Sequence, residues 1–313
     1  MLVYKKIKIE TKEIKIVDLD YICDVRQGLA TGDNTRYLFK VPTALGSYRL
    51  VDDRKILNRR ELETISHNNE LRKKIIHSGI PVGLLKSKTI VPIDKGGSSN
   101  IEEGRLSNYY APVEFYIDWS EKNVHMMKTM TIAERKKLDG DKDIKKSDRE
   151  RIASRFQNVE YYFKPGITFS PTGLYAPTYK LNSSSIFDHA GDCIFIKPEF
   201  ETFFSNELLL GILCSKFMRY VQKTFINNTV SVQVDDVKKN PIVICNRTTK
   251  LKIEKLVNSI ITKQNNNPTY DYQNYEQKEI DQIIYTEYGL SSVLREEIED
   301  WYDRRYYKLI LKN

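Results

Sequence analysis

Cysteine and histidine are scarce in this sequence, with four of each among 313 residues. Cys23, Cys193, Cys214 and Cys245 include no Cys-x-x-Cys pair, and Cys214 sits in an apolar run that reads as core. His67, His77, His125 and His189 show no metal-ligand spacing. The pattern argues against a disulfide framework and a zinc site, and fits a reducing compartment. No signal-peptide pattern opens the chain, and no apolar run reaches the roughly 20 residues of a membrane span. The expectation is a cytoplasmic protein with no membrane part.

Catalytic signatures are missing too. There is no G-x-G-x-x-G turn and no P-loop, so neither a dinucleotide nor a nucleotide cradle is expected. No nucleophile elbow occurs, which argues against a serine hydrolase. A methyltransferase acting on amino groups in DNA uses an Asn/Asp-Pro-Pro-Tyr/Phe turn, but "NPIV" at Asn240 and "NPTY" at Asn267 lack the second proline. Asp94 and Glu102 would suit a hard divalent ion, yet no Glu-x-Lys accompanies them. The chain therefore reads as non-catalytic by itself, with no cofactor and no metal.

What the sequence does have is positive charge. Lys and Arg number 50 against 42 Asp and Glu, a formal net charge of +8. A surplus of this size points to a polyanionic partner, of which nucleic acid is the commonest. The 20 tyrosines serve a core, a rim or a nucleic-acid surface equally well.

Hydrophobic periodicity predicts an α+β chain. "YKKIKIETKEIKIVDLDYI" alternates and reads as a strand pair with lysines outward. Residues 54–80 read as one or two helices closed by Gly79 and Pro81. "VGLLKSKTIVPI" and "VEFYIDW" read as strands, and "DKGGSSNIEEG" as a loop. Residues 131–156 read as two short helices about Asp139-Gly140, the second starting at a capping box from Ser147 to Glu150. "SIFDHAGDCIFI" reads as two short strands about a turn at Gly191. Past residue 200 the character changes. "SNELLLGILCSKFMRYVQKTF" reads as one buried helix, "VSVQVDDV" as a short strand, and three more helical patterns close the chain. The expected organisation is a mixed-sheet domain over 1–200 and a helical supporting domain over 201–313.

The order of the small polar stretches carries a resemblance. "VRQGLATGDNTRYLF" comes first, then "VPIDKGG", "VEFYIDWSEKN", "YYFKPGITFS" and "SIFDHAGDCIF". The helical part follows, and "EEIEDWYDRRY" lies near the end. From about Ile22 to Tyr307 the chain resembles the C-terminal target-recognition region, with a TaqI-type specificity domain, of large adenine-specific DNA methyltransferases. These belong to type IIG and IIL restriction–modification and BREX phage-exclusion systems. Each motif is weak alone, and seven in this order are specific. The resemblance implies a sequence-specific double-stranded DNA recognition module that lacks the catalytic half and serves a methyltransferase catalytic domain or subunit. It departs from the family after the Gly-Asp-Asn turn, where "KVPTALGSYRL" stands, and after "DKGG", where the segment is longer and more acidic. The alternative is a regulatory or assembly subunit that binds a methyltransferase partner with little DNA specificity of its own.

Candidate DNA contacts follow from residue types. Gly28 and Gly32 would let the backbone approach a partner closely. Gln27, Thr31 and Asn34 would bond phosphate or base edges, and Arg36 would add a charge-assisted contact. The competing reading is a structural turn in which Asp33 and Asn34 satisfy their own backbone. Lys95 before two glycines would reach a phosphate, unless its loop is merely surface. Lys164, Thr168, Ser170 and Thr172 would share one strand face, either toward a groove or toward solvent. The basic run from Arg135 to Arg151 is interleaved with acids and reads as a solvated face. Arg219 and Lys223, one turn apart, read as part of an exposed polar stripe.

Overall fold

A computed structural model describes residues 2–9, 12–96, 106–173, 175–182 and 184–307. The architecture is α+β, as expected, and three sheets organise it. The alternating N-terminus forms the hairpin β1 (Lys5–Ile9) and β2 (Lys12–Asp18), followed by β3 (Cys23–Arg26). Short strands β4 (Leu38–Lys40) and β5 (Arg49–Leu50) come next, then β6 (Ile90–Asp94) and β7 (Phe115–Asp118). Farther along lie β8 (Gly166–Ser170), β9 (Thr178–Asn182), β10 (Ile186–Phe187), β11 (Asp192–Ile196) and β12 (Pro241–Val243). The sheets run β1-β2-β12, β10-β6-β7-β4-β5 and β3-β11-β8-β9.

The packing does not divide at residue 200. β2 pairs antiparallel with β12, so the N-terminal hairpin belongs with the helical part. One core joins Ile14, Ile22, Ile167, Phe169 and Ile194 to Leu209, Ile253, Ile284 and Ile298. A second core lies wholly between Leu29 and Phe195, around Trp119, Tyr162 and Phe187. Composition shifts near 200 because the chain beyond β11 is mainly helical. The cores divide instead where β10 and β11 part: four residues after β10 pairs with β6, β11 pairs with β3 and β8.

Local chemistry explains where the elements differ from the sequence reading. The predicted single helix after residue 204 is two, Asn206–Leu213 and Lys216–Val221, followed by a π-turn over Gln222–Ile226. Ser215 makes the break, because its hydroxyl accepts from the Met218 amide at 3.1 Å and restarts the helix. "VSVQVDDV" is not a strand but ends in a helical turn, Val234–Val237, where the Asp236 carboxylate accepts from the Gln233 amide at 3.0 Å. The capping box of the charged segment is Thr131–Glu134, opening the helix Ile132–Leu138. Ser147 instead lies inside a 3-10 turn, Lys146–Arg149, because Asp148 accepts from the Lys145 amide at 3.1 Å. The strand within "VGLLKSKTIVPI" is confined to β6. Most of "DKGGSSNIEEG", residues 97–104, lies outside the described residues.

Candidate nucleic-acid interface

The Gly-rich stretch after β3 turns inward, toward its own chain. A Cβ on Gly28 would stand 2.1 Å from the Phe187 carbonyl oxygen. Gly32 has φ +72°, and a Cβ there would stand 2.3 Å from the Ala153 carbonyl oxygen. Both glycines thus make room for this protein's own backbone, which corrects the expectation that they admit a partner. Asp33 caps the four-residue helix Asn34–Tyr37, accepting from the Arg36 amide at 3.0 Å and from Arg36 Nε at 2.8 Å. Thr31 is buried, and its hydroxyl donates to Asn34 Oδ1 at 2.5 Å. Thr31 and Asn34 therefore build the turn, as the structural alternative had it.

What lies against this turn is the charge-dense segment 131–158. Ala30 and Arg155 exchange backbone hydrogen bonds of 3.1 and 2.8 Å. Arg135 donates to the Gly32 carbonyl at 2.5 Å, Gln157 to that of Gly28 at 3.1 Å, and Asn158 to that of Gln27 at 2.9 Å. Ser154 Oγ donates to the Thr31 carbonyl. The opening stretch is thus a bed, and the basic segment is what it presents. Gln27 is the member of the predicted set that keeps an exposed side chain here.

Half of the acids on the presented segment are tied into its own framework. Residues 131–156 carry nine Lys or Arg and six Asp or Glu. Three of the acids are engaged locally. Glu134 bonds the Thr131 amide at 2.8 Å. Asp139 lies 3.7 Å from Arg36 and 3.9 Å from Arg135. Asp148 accepts from Lys136 Nζ at 3.0 Å, a bond that holds its carboxyl below the usual range. Lys137, Lys142, Lys145, Lys146, Arg149, Arg151 and Arg155 are exposed, and none forms an ion pair among the described residues. Exposed cations that form no ion pair and outnumber the exposed acids beside them, Asp141, Asp143 and Glu150, suit contact with phosphates. The sequence signal for this was the Thr-x-x-Glu spacing at Thr131, which assigns Glu134 to a cap.

The other predicted cations are occupied. Arg36 is held by Asp33 and Asp139. Lys95 Nζ donates to Asp188 Oδ2 at 3.3 Å and lies over the Tyr48 and Phe115 rings, so it is not an unobstructed arm. Lys164 is half-buried over the Tyr161 ring, and burial holds its amine below the usual lysine range.

The predicted polar strand face is also not a surface. Only Thr168 and Ser170 lie in β8, the central partner of β11 and β9, and both are buried. Thr168 Oγ1 sits 3.2 Å from Cys193 Sγ. Thr172 lies beyond the strand and is exposed, bridging to Ser231.

The Lys95 contact belongs to a buried polar node where the two cores part. Asp94 pairs with Lys180 at 2.9 Å, which removes it as a free metal ligand, while Glu102 lies outside the described residues. Asp188 accepts from the Ala190 amide at 2.8 Å and lies 2.8 Å from His189 Nδ1. Asp192 is 3% exposed and its Oδ1 has no partner. Burial, with the Asp188 charge second, pushes its carboxyl up to about 7. The folded state therefore holds this proton more tightly than the unfolded chain, and stability is lost as pH rises from about 4 to 7. In Asp192→Asn that loss is absent. Its melting temperature relative to the parent should climb between pH 4 and 7 and then level off, as calorimetry at stepped pH would read. A constant difference would remove the account.

Arg219 and Lys223 do not form the exposed stripe expected of them, since each is only 3% exposed. Among the described residues no cluster of His, Cys, Asp and Glu has metal-binding geometry, and no helix is long and apolar enough to cross a membrane. No protein-family model matches the chain, and a search of curated proteins gives no significant match.

Proposed function

We propose that this chain is a sequence-specific double-stranded DNA recognition module of an adenine methyltransferase from a restriction–modification or phage-defence system. In this reading recognition falls to this chain, and methyl transfer to a methyltransferase catalytic domain or subunit. The observation that carries the DNA part is the row of exposed cations without ion pairs over residues 137–155, fixed on the 27–36 turn by five hydrogen-bonded anchor residues, namely Arg135, Ser154, Arg155, Gln157 and Asn158. A rigidly seated basic segment sets register on a duplex through phosphates, and neighbouring polar side chains such as Gln27 select bases. The methyltransferase part rests on the order of the sequence motifs. In this reading the target adenine is flipped into the partner's pocket, and methyl transfer occurs there.

Titration of a randomised duplex pool at several salt concentrations, with sequencing of the bound fraction, tests this. The expected result is one enriched motif together with a steep fall of affinity with salt. A salt slope without enrichment would restrict the chain to phosphate contacts. No binding at low salt would overturn the reading in favour of an assembly subunit.

A further inference from the structure

A second basic site lies in the helical part, around the π-turn Gln222–Ile226. Such turns are rare and concentrate at functional sites, because the wider turn redirects side chains. Arg219 precedes it by one helical turn. Its guanidinium donates to the Tyr175 carbonyl at 2.8 Å and to the Tyr306 hydroxyl at 3.4 Å, and packs 5.4 Å from the Tyr306 ring. The remaining Nη2 is buried with no partner. Gln222 is 1% exposed, and both its amide nitrogen and its amide oxygen lack partners. Lys223 donates to the Thr229 carbonyl at 2.7 Å. Arg305 stands at the surface with its guanidinium 5.7 Å from the Trp301 ring.

These three cations have no carboxylate of their own. Neither Arg219, Lys223 nor Arg305 forms an ion pair among the described residues. Asp236 is the acid acting on Lys223, and it is engaged by Asn227 Nδ2 at 2.6 Å and the Gln233 amide at 3.0 Å. Burial, then the charges of Arg305 and Arg219, push the Lys223 amine down to about 8, with Asp236 opposing. A buried charge is costly unless paired, and an unpartnered buried donor adds to that cost. An oxyanion would relieve both at once.

We propose that Arg219, Gln222, Lys223 and Arg305 form a binding site for a phosphate group. Two arginines and a lysine supply charge-assisted donors, the Gln222 amide supplies a neutral one, and Arg305 guards the outer side. The site stands apart from the 137–155 segment and does not depend on it. The phosphate group belongs either to a nucleic-acid backbone or to a free phosphate.

The full chain is tested with inorganic phosphate against chloride at equal ionic strength. At ten times Kd the melting temperature should rise by about 2 °C. Lys223→Met should lose that rise. Arg305→Gln, an exposed change that leaves the fold intact, should reduce it. At pH 8.5 phosphate binding should draw a fraction of a proton onto Lys223. The calorimetric heat would then vary with the ionisation enthalpy of the buffer in the parent and not in Lys223→Met. A Lys223→Met chain that still responds like the parent overturns the site, and so does a parent with no phosphate response. Duplex titration separates the sources. A salt slope shallower by about one in Lys223→Met assigns the group to DNA, and an unchanged slope assigns it to a free phosphate.

Discussion

A chain carrying Lys142→Gln, Lys145→Gln, Lys146→Gln and Arg149→Gln together should bind duplex DNA roughly a hundredfold more weakly at about 50 mM salt. Its plot of log affinity against log salt should be shallower by about three to four. The four side chains are exposed and form no ion pair among the described residues, so their removal breaks nothing in the fold. Stability should stay within about 0.5 kcal/mol of the parent, as for other surface changes away from special contacts. Net charge alone would also weaken binding, so a matched control is needed. Lys55→Gln, Arg60→Gln, Lys74→Gln and Lys278→Gln remove the same charge from exposed positions elsewhere. The control should lose much less affinity and keep most of the slope. Equal losses in the two chains would falsify the placement of the interface on residues 137–155, and leave only a diffuse electrostatic attraction.

Gly28→Ala should destabilise the protein by about 4 kcal/mol and lower its melting temperature by about 6 °C. The added Cβ would meet the Phe187 carbonyl oxygen at 2.1 Å and the Phe187 ring at 2.7 Å. Neither obstacle moves easily. Phe187 is fully buried, and its carbonyl accepts from the Leu29 amide at 2.8 Å. Phe187 also ends β10, four residues before the chain enters β11 in another sheet. Relief of the clash would open the contact between the 27–36 turn and that switch. Thermal unfolding reads the effect directly. Below the lowered melting temperature the folded variant should still bind DNA, since Gly28 touches its own chain. A Gly28→Ala protein that melts with the parent yet no longer binds DNA would restore this glycine as a contact residue.

The comparison of Gly28 with Lys142 shows what a sequence reveals and what it withholds. The α+β class was legible because it rests on local periodicity. Ile253, Val257 and Ile260 repeat at helical spacing and are buried in the helix Arg247–Asn266. The Gly79 helix end was legible for the same reason, since a positive φ at a helix terminus is a local demand. The seven ordered motifs and the basic surplus likewise needed no coordinates.

Which side of a residue meets its partner was decided only by the tertiary fold. Thr168 and Ser170 alternate in sequence as a solvent-facing pair would, yet both are buried. Gly28 and Gly32 have the composition of a ligand loop, yet residues 153 and 187 fill the space beside them. In the charged segment, sequence counts Asp148 and Asp139 against the cations. The fold assigns Asp148 to a cap and Asp139 to Arg36 and Arg135. Local propensity acts over a few residues and can be read from the chain. Burial and ion pairing depend also on groups brought together from distant positions, as Asp139 is with Arg36, and only the packed structure sets those distances.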